Sequence, residues 1–150
     1  MARGISPIVG VVCLVAVTTL LASVVAVTVP VGSTPEPTVA TFDAGADPDG
    51  EVSLLHSGGD VIDPEALEIR IEIDGEPLAE QPPVPFFSAV GFDSAPTGAF
   101  NSATTELWRA GETASLTIAG TNEPTIDPGD TIRIRIYVDG YSVATAEATA

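Results

Sequence analysis

Few residues in this chain have the type and spacing that chemistry requires. His56, in Leu54-Leu55-His56-Ser57-Gly58-Gly59, is the single histidine, and Cys13 is the single cysteine. A Ser-His-Asp site needs a nucleophile, a base and an orienting carboxylate held together, and no Gly-x-Ser-x-Gly turn presents a serine. Zinc needs three or four protein ligands, which one histidine and a remote cysteine do not supply. His56 is therefore expected to pack at a strand end or to hydrogen-bond a turn. The run Asp43-Ala44-Gly45-Ala46-Asp47-Pro48-Asp49-Gly50 clusters carboxylates as a calcium loop does. In the EF-hand register, however, the first position is Gly45 and the twelfth is His56, where that loop requires carboxylates. Both this run and Gly58-Gly59-Asp60 are expected to be solvated acidic turns. No phosphate-binding loop is present. The expectation is a protein with no catalytic, cofactor-binding or metal-binding residues, and not an enzyme.

The aromatic residues are the next candidates. Four of the five phenylalanines (Phe86, Phe87, Phe92 and Phe100) follow the Pro82-Pro83-Val84-Pro85 run, and Trp108 lies just beyond. These rings either cap a core or form an exposed apolar patch, in which Phe86 and Phe87 would contact a neighbouring subunit. Asn101 and Asn122 both fail the Asn-x-Ser/Thr rule, so no N-glycan is expected.

Charge divides the chain into two physically different parts. No charged residue occurs in residues 5–31, whereas all 21 acidic residues follow, beginning at Glu36. Four arginines (Arg70, Arg109, Arg133 and Arg135) accompany them and lysine is absent, which leaves this part at −17. Such a surface has no cationic face to displace counterions from phosphates, so nucleic acid is excluded as a partner. It does not lie flat on anionic lipid either. Repulsion among so many carboxylates is best tolerated where salt screens it, since the Debye length falls to ~3 Å at 1 M. The composition points to a high-salt habitat.

The uncharged part must be positioned by an environment without water. Residues 5–29, as a helix rising 1.5 Å per residue, would run ~37 Å, enough for a hydrocarbon core of ~30 Å with some tilt. Ser6, Thr18, Thr19, Ser23 and Thr28 can bond back to helix carbonyls. Pro7 falls in the first turn, where a missing N–H costs nothing, and Pro30 marks the end. With Arg3 as the only nearby cation and an acidic far side, the N-terminus is expected in the cytoplasm and the remainder outside. Three readings are open. A cleaved secretory signal fits poorly, because the apolar run is too long and ends in Val29-Pro30-Val31-Gly32 without a clear small-x-small site. A permanent anchor fits the length. A leader cut just before the helix would use Met1-Ala2-Arg3-Gly4. Lipid attachment at Cys13 is disfavoured by the bulky Val11-Val12 before it.

The run Arg3-Gly4-Ile5-Ser6-Pro7-Ile8-Val9-Gly10-Val11-Val12 resembles the N-terminal signature of archaeal type IV pilins. In that family a basic and a small residue precede a hydrophobic helix carrying Ser-Pro-(Val/Ile)-(Ile/Val)-Gly. The likeness stops near Pro30, and this chain departs from the family in its very short leader. It lacks the early glutamate of bacterial type IV pilins and the glycine-rich start of archaeal flagellar filament proteins. The resemblance implies that a prepilin peptidase, reading Arg3, Gly4 and Ile5, removes residues 1–4 as a leader. It further implies a helix over 5–31, carrying Ser6, Pro7, Gly10, Ala16, Ala22 and Ala26, that forms the core of an adhesive pilus. The implied partners are other copies in a helical homopolymer, the peptidase and assembly machinery, and the membrane before assembly. The implied location is the cell membrane for the precursor and an extracellular filament afterwards. Physically, a helix apolar all round is buried all round, and Gly10, Ala16, Ala22, Ser23 and Ala26 allow close helix approach. The alternative is a permanently anchored surface protein whose exported domain binds a ligand.

Residues 32–38 read as a Pro-rich linker, and residues 39–150 as an all-β domain. In Ala66–Asp74, Leu67, Ile69, Ile71 and Ile73 alternate with charged residues. In Thr131–Val138, Ile132, Ile134, Ile136 and Val138 alternate with Arg133, Arg135 and Tyr137, and Tyr141–Glu147 returns as a hairpin. Weaker strands are expected over 39–43, 51–56, 84–90 and 114–119. No helical period follows Pro30. The expected fold is a long hydrophobic helix followed by an antiparallel β-sandwich of immunoglobulin-like architecture. Arg133 and Arg135, sharing one face, are expected either to pair across strands with Glu68 and Glu72 or to be solvated.

Overall fold

A computed structural model describes residues 6–28 and 35–150, with side chains described over 7–22 and 35–150. The chain divides between Glu36 and Pro37 into two compact units, inside the expected linker. The first unit contains one helix, α1, over Ser6–Thr28, 23 residues without a charge. Residues 5 and 29–31 of the expected 5–31 segment lie outside the described residues. Among the described residues no helix is long and apolar enough to cross a membrane.

The second unit is a β-sandwich of seven strands. These are β1 (Ala40–Ala46), β2 (Glu51–Gly59), β3 (Leu67–Ile73), β4 (Glu76–Pro77), β5 (Thr113–Thr117), β6 (Thr131–Val138) and β7 (Tyr141–Thr149). One sheet has the order β1-β2-β5 and the other β4-β3-β6-β7, and every strand pair is antiparallel. Period-2 alternation sets the register, because a one-residue slip would turn every apolar side chain outward. Ile69 lies opposite Ile136, and Ile71 opposite Ile134. Val52, Leu54, Ala114 and Leu116 of the facing sheet complete the core. The pairs Asp74-Gly75 and Asp139-Gly140 close two-residue hairpins. Asp74 and Gly75 have φ of 50° and 84°, and Asp139 and Gly140 have 51° and 80°. Positive φ at both central residues makes a turn twist with the strands it joins.

The expected strand at 84–90 does not form. Pro82, Pro83 and Pro85 offer no N–H to a ladder, and the segment is a loop carrying one isolated bridge, Phe86 to Asn101. Between β4 and β5 the chain crosses in that long loop, held by side-chain amides. The Gln81 amide bonds both N–H and C=O of Ile71, at 2.8 and 3.0 Å, and so occupies the β3 edge beyond the two-residue β4. Asn122, only 1% exposed, accepts from the N–H groups of Glu80 and Glu123 and donates to the carbonyls of Glu80 and Gly91.

Candidate functional site

Two surfaces could carry function: the helix α1 and the outside of the β-sandwich. On α1, every residue from Pro7 to Ala22 is exposed. The large apolar side chains Ile8, Val9, Val11, Val12, Leu14, Val15, Val17, Leu20 and Leu21 are each at least half exposed. Turning ~100° per residue, they surround the helix and leave no polar stripe. The hydroxyls do not supply one. Thr18 donates to the carbonyls of Leu14 and Val15, and Thr19 to those of Val15 and Ala16. The space where a Gly10 Cβ would sit is open, as close approach of another chain requires. Cys13 is an exposed free thiol. Pro7, Gly10, Ala16 and Ala22 thus share the exposed helix surface, while Ser6 and Ala26 are described in backbone only. Arg3, Gly4 and Ile5, the residues of the implied cleavage, lie outside the described residues.

The sandwich resolves the other candidates. His56 is fully buried on β2. Its Nε2 lies 2.8 Å from the carbonyl oxygen of Asp60, so Nε2 carries the proton, a carbonyl being able only to accept. The ring packs between Phe42 and Trp108, with centroids 5.1 and 5.7 Å away. Its Nδ1 is buried without a hydrogen-bond partner among the described residues. His56 is thus a core residue inside β2, not at its end, with one nitrogen satisfied by a carbonyl just past the strand. The acidic run of 43–50 splits. Asp43 belongs to β1, while Asp47–Gly50 is a hairpin turn closed by Gly50 N–H on the Asp47 carbonyl at 3.0 Å. Among the described residues no group of three or more His, Cys, Asp or Glu side chains comes together to hold a metal.

The aromatic region divides. Phe86, Phe92, Phe100 and Trp108 are buried, whereas Phe87 is 59% exposed. The expectation that Phe86 contacts a neighbouring subunit is corrected. Its N–H bonds the Phe100 carbonyl, its carbonyl takes the Ser102 N–H, and its ring lies 5.7 Å from that of Phe92 inside the core. Alternation along the bridged segment sends Phe86 in and Phe87 out, so only Phe87 remains a surface residue.

Of the two arginine readings, cross-strand pairing holds for Glu72. Its carboxylate, largely shielded from solvent, takes Arg135 at 3.1 Å and Arg133 at 3.7 Å. Arg133 also holds Glu147 on β7 at 2.7 Å. The Glu147 carboxylate, through hydrogen bond and charge, holds the Arg133 guanidinium above its usual pKa. Glu68 instead pairs along its own strand with Arg70 at 2.8 Å, because Tyr137 is its cross-strand neighbour. Sequence reading had no signal for Asn122 or Gln81. An amide that staples loops distant in sequence leaves no periodicity. A cleft of about 340 Å³ beside Trp108 brings Glu106 and Glu112 to its wall with Thr104 and Thr113. No known family model matches the chain, and no curated protein matches it.

Proposed function

We propose that this chain is a structural subunit of an extracellular filament of the type IV pilus class. Its helix packs with copies of itself in the filament core, and its acidic sandwich faces outward. The observation that carries the reading is the exposure of apolar side chains around the whole circumference of α1. Water is the wrong neighbour for such a surface, and a lone helix has no other way to cover it. A bilayer covers it before assembly, over the uncharged run of 5–31, and neighbouring helices cover it afterwards. The pilin-like run from Arg3 to Val12 supports the same reading, with a cut between Gly4 and Ile5 as the step that commits the chain to the filament. The seven strands, split so that β1, β2 and β5 face β4, β3, β6 and β7, support an immunoglobulin-like architecture for the head. The fourth strand sits beside the third rather than beside the fifth. Surface adhesion is the role this class of filament implies.

The test is chemical. Filaments sheared from cells should contain this chain beginning at Ile5 by mass spectrometry, and Gly4→Phe should abolish them while the precursor accumulates in the membrane. A mature chain that still begins at Met1 or Ala2 and stays in the membrane would instead support the permanently anchored binding protein.

A further inference from the structure

We propose that the outward face of the Ile62–Trp108 bridge is a contact surface for the head of a second copy of this chain, with Arg109 as its charged anchor. The choice of a second copy as occupant rests on the filament reading. The surface itself is argued from the fold. Ile62 and Trp108 exchange both backbone hydrogen bonds, at 2.9 and 2.8 Å, as an isolated antiparallel bridge. Their side chains are buried at 1% and 2% exposure. Alternation then directs the flanking residues outward, with Val61 across from Arg109 and Asp63 across from Leu107. Val61 and Leu107 are 49% and 42% exposed, so two aliphatic side chains lie in water beside a guanidinium.

That guanidinium differs from the other three described arginines. Arg70, Arg133 and Arg135 each hold a carboxylate at 2.7–3.1 Å, whereas Arg109 makes no ion pair among the described residues. Two neighbouring acids face backbone groups. Glu112 accepts from the Arg109 backbone N–H at 2.8 Å, and Asp63 accepts from the Glu65 N–H at 3.0 Å. Arginine is among the residue types that most often anchor protein interfaces. Its complement is an anionic protein surface. The sandwich of a second copy is one, and within a filament it is the one always at hand.

The experiment places a photo-reactive benzophenone amino acid at position 107 of the full chain in its own cells. The expected product is a covalent pair containing only this chain, mapped by mass spectrometry to acidic strand or turn residues of the second copy. Arg109→Glu should lower the yield of that pair about fivefold, equivalent to ~1 kcal/mol, and Arg109→Lys should restore most of it. Unchanged Trp108 fluorescence in each variant establishes that the head is folded, and Arg109→Gln serves if Arg109→Glu is not. No pair, a pair only with a different protein, or a yield indifferent to the charge at 109 overturns the proposal. The two readings fail separately. Filaments that begin at Ile5 but give no pair sink this surface alone, whereas a pair formed without filaments sinks the filament reading and leaves the surface standing.

Discussion

A single carboxylate placed in the middle turns of α1 should remove the chain from filaments, whichever face of the helix it occupies. Val12, Leu14, Val15 and Val17 are spread around the circumference at ~100° per residue, and they expose 62%, 64%, 55% and 52% of their surface. Fully burying such a side chain is worth ~1.5–3 kcal/mol, so the exposed half to two-thirds leaves ~1–2 kcal/mol still to be gained on packing. An aspartate forfeits that gain and adds ~2.5–3.5 kcal/mol for a charge at the centre of an apolar helix. The total, ~4–5 kcal/mol, corresponds to about three orders of magnitude in a partition equilibrium. The assay compares this chain in the sheared filament fraction with the cell-bound fraction for Val12→Asp, Leu14→Asp, Val15→Asp and Val17→Asp, with Val17→Leu as the conservative control. Each aspartate variant should fall at least a hundredfold in the filament fraction, and the control should keep its yield. A helix with one wet side would tolerate the charge there. One aspartate variant assembling as well as the parent would refute the claim that α1 is covered on every side.

The head offers three sharper tests of individual contacts. Asn122→Ala removes four hydrogen bonds from a buried amide at ~1 kcal/mol each, the longest counting least, so Tm by near-ultraviolet circular dichroism should fall by about 10–15 °C. A fall under about 4 °C would mean that the loops hold without it. Gly59→Ala meets the Val39 carbonyl and the Ala40 Cα at a φ of 102°, and the strain should exceed ~2 kcal/mol, read as an earlier urea midpoint with an unchanged m-value. Glu72→Gln leaves Arg133 on Glu147 but discharges its contacts with both arginines. It should lower Tm by about 4 °C or less in dilute buffer, and by nothing measurable at ~1 M salt.

How much was legible depended on the range of the interaction. Strands β3 and β6 were readable because each buries four side chains on one strict alternation, and β6 matched the expected Thr131–Val138 span. The hairpin after β6 was readable because Asp139-Gly140 is a local backbone requirement. Residues 84–90 misled because Val84, Phe86 and Val90 imitate a strand, while the prolines between them veto the ladder. Phe86 and Phe87 looked equivalent, because adjacent aromatics reveal neither which faces inward nor whether a sheet exists there to decide. His56 was placed correctly in kind, yet its partner, the Asp60 carbonyl, depends on the turn after β2. The Arg109 surface was invisible, since it follows from a bridge between residues 46 positions apart in sequence and from the absence of an ion pair.

The two halves of the chain respond to salt for different reasons, and together they set the condition under which a filament holds. Apolar helices associate more firmly as salt rises, because excluded salts strengthen burial. Heads carrying −17 each repel one another, and that repulsion reaches ~30 Å at 0.01 M salt but only ~3 Å at 1 M. Both terms act in the same direction, so dilution weakens the core and lengthens the reach of the repulsion at once. Sheared filaments dialysed from ~1 M to ~0.01 M salt should therefore shorten or dissociate, and should reform when salt is restored. Uncharged osmolyte at matching osmolarity should not rescue them, because it strengthens burial without screening charge. Filaments that keep their length at ~0.01 M salt would refute the claim that repulsion between the heads limits assembly.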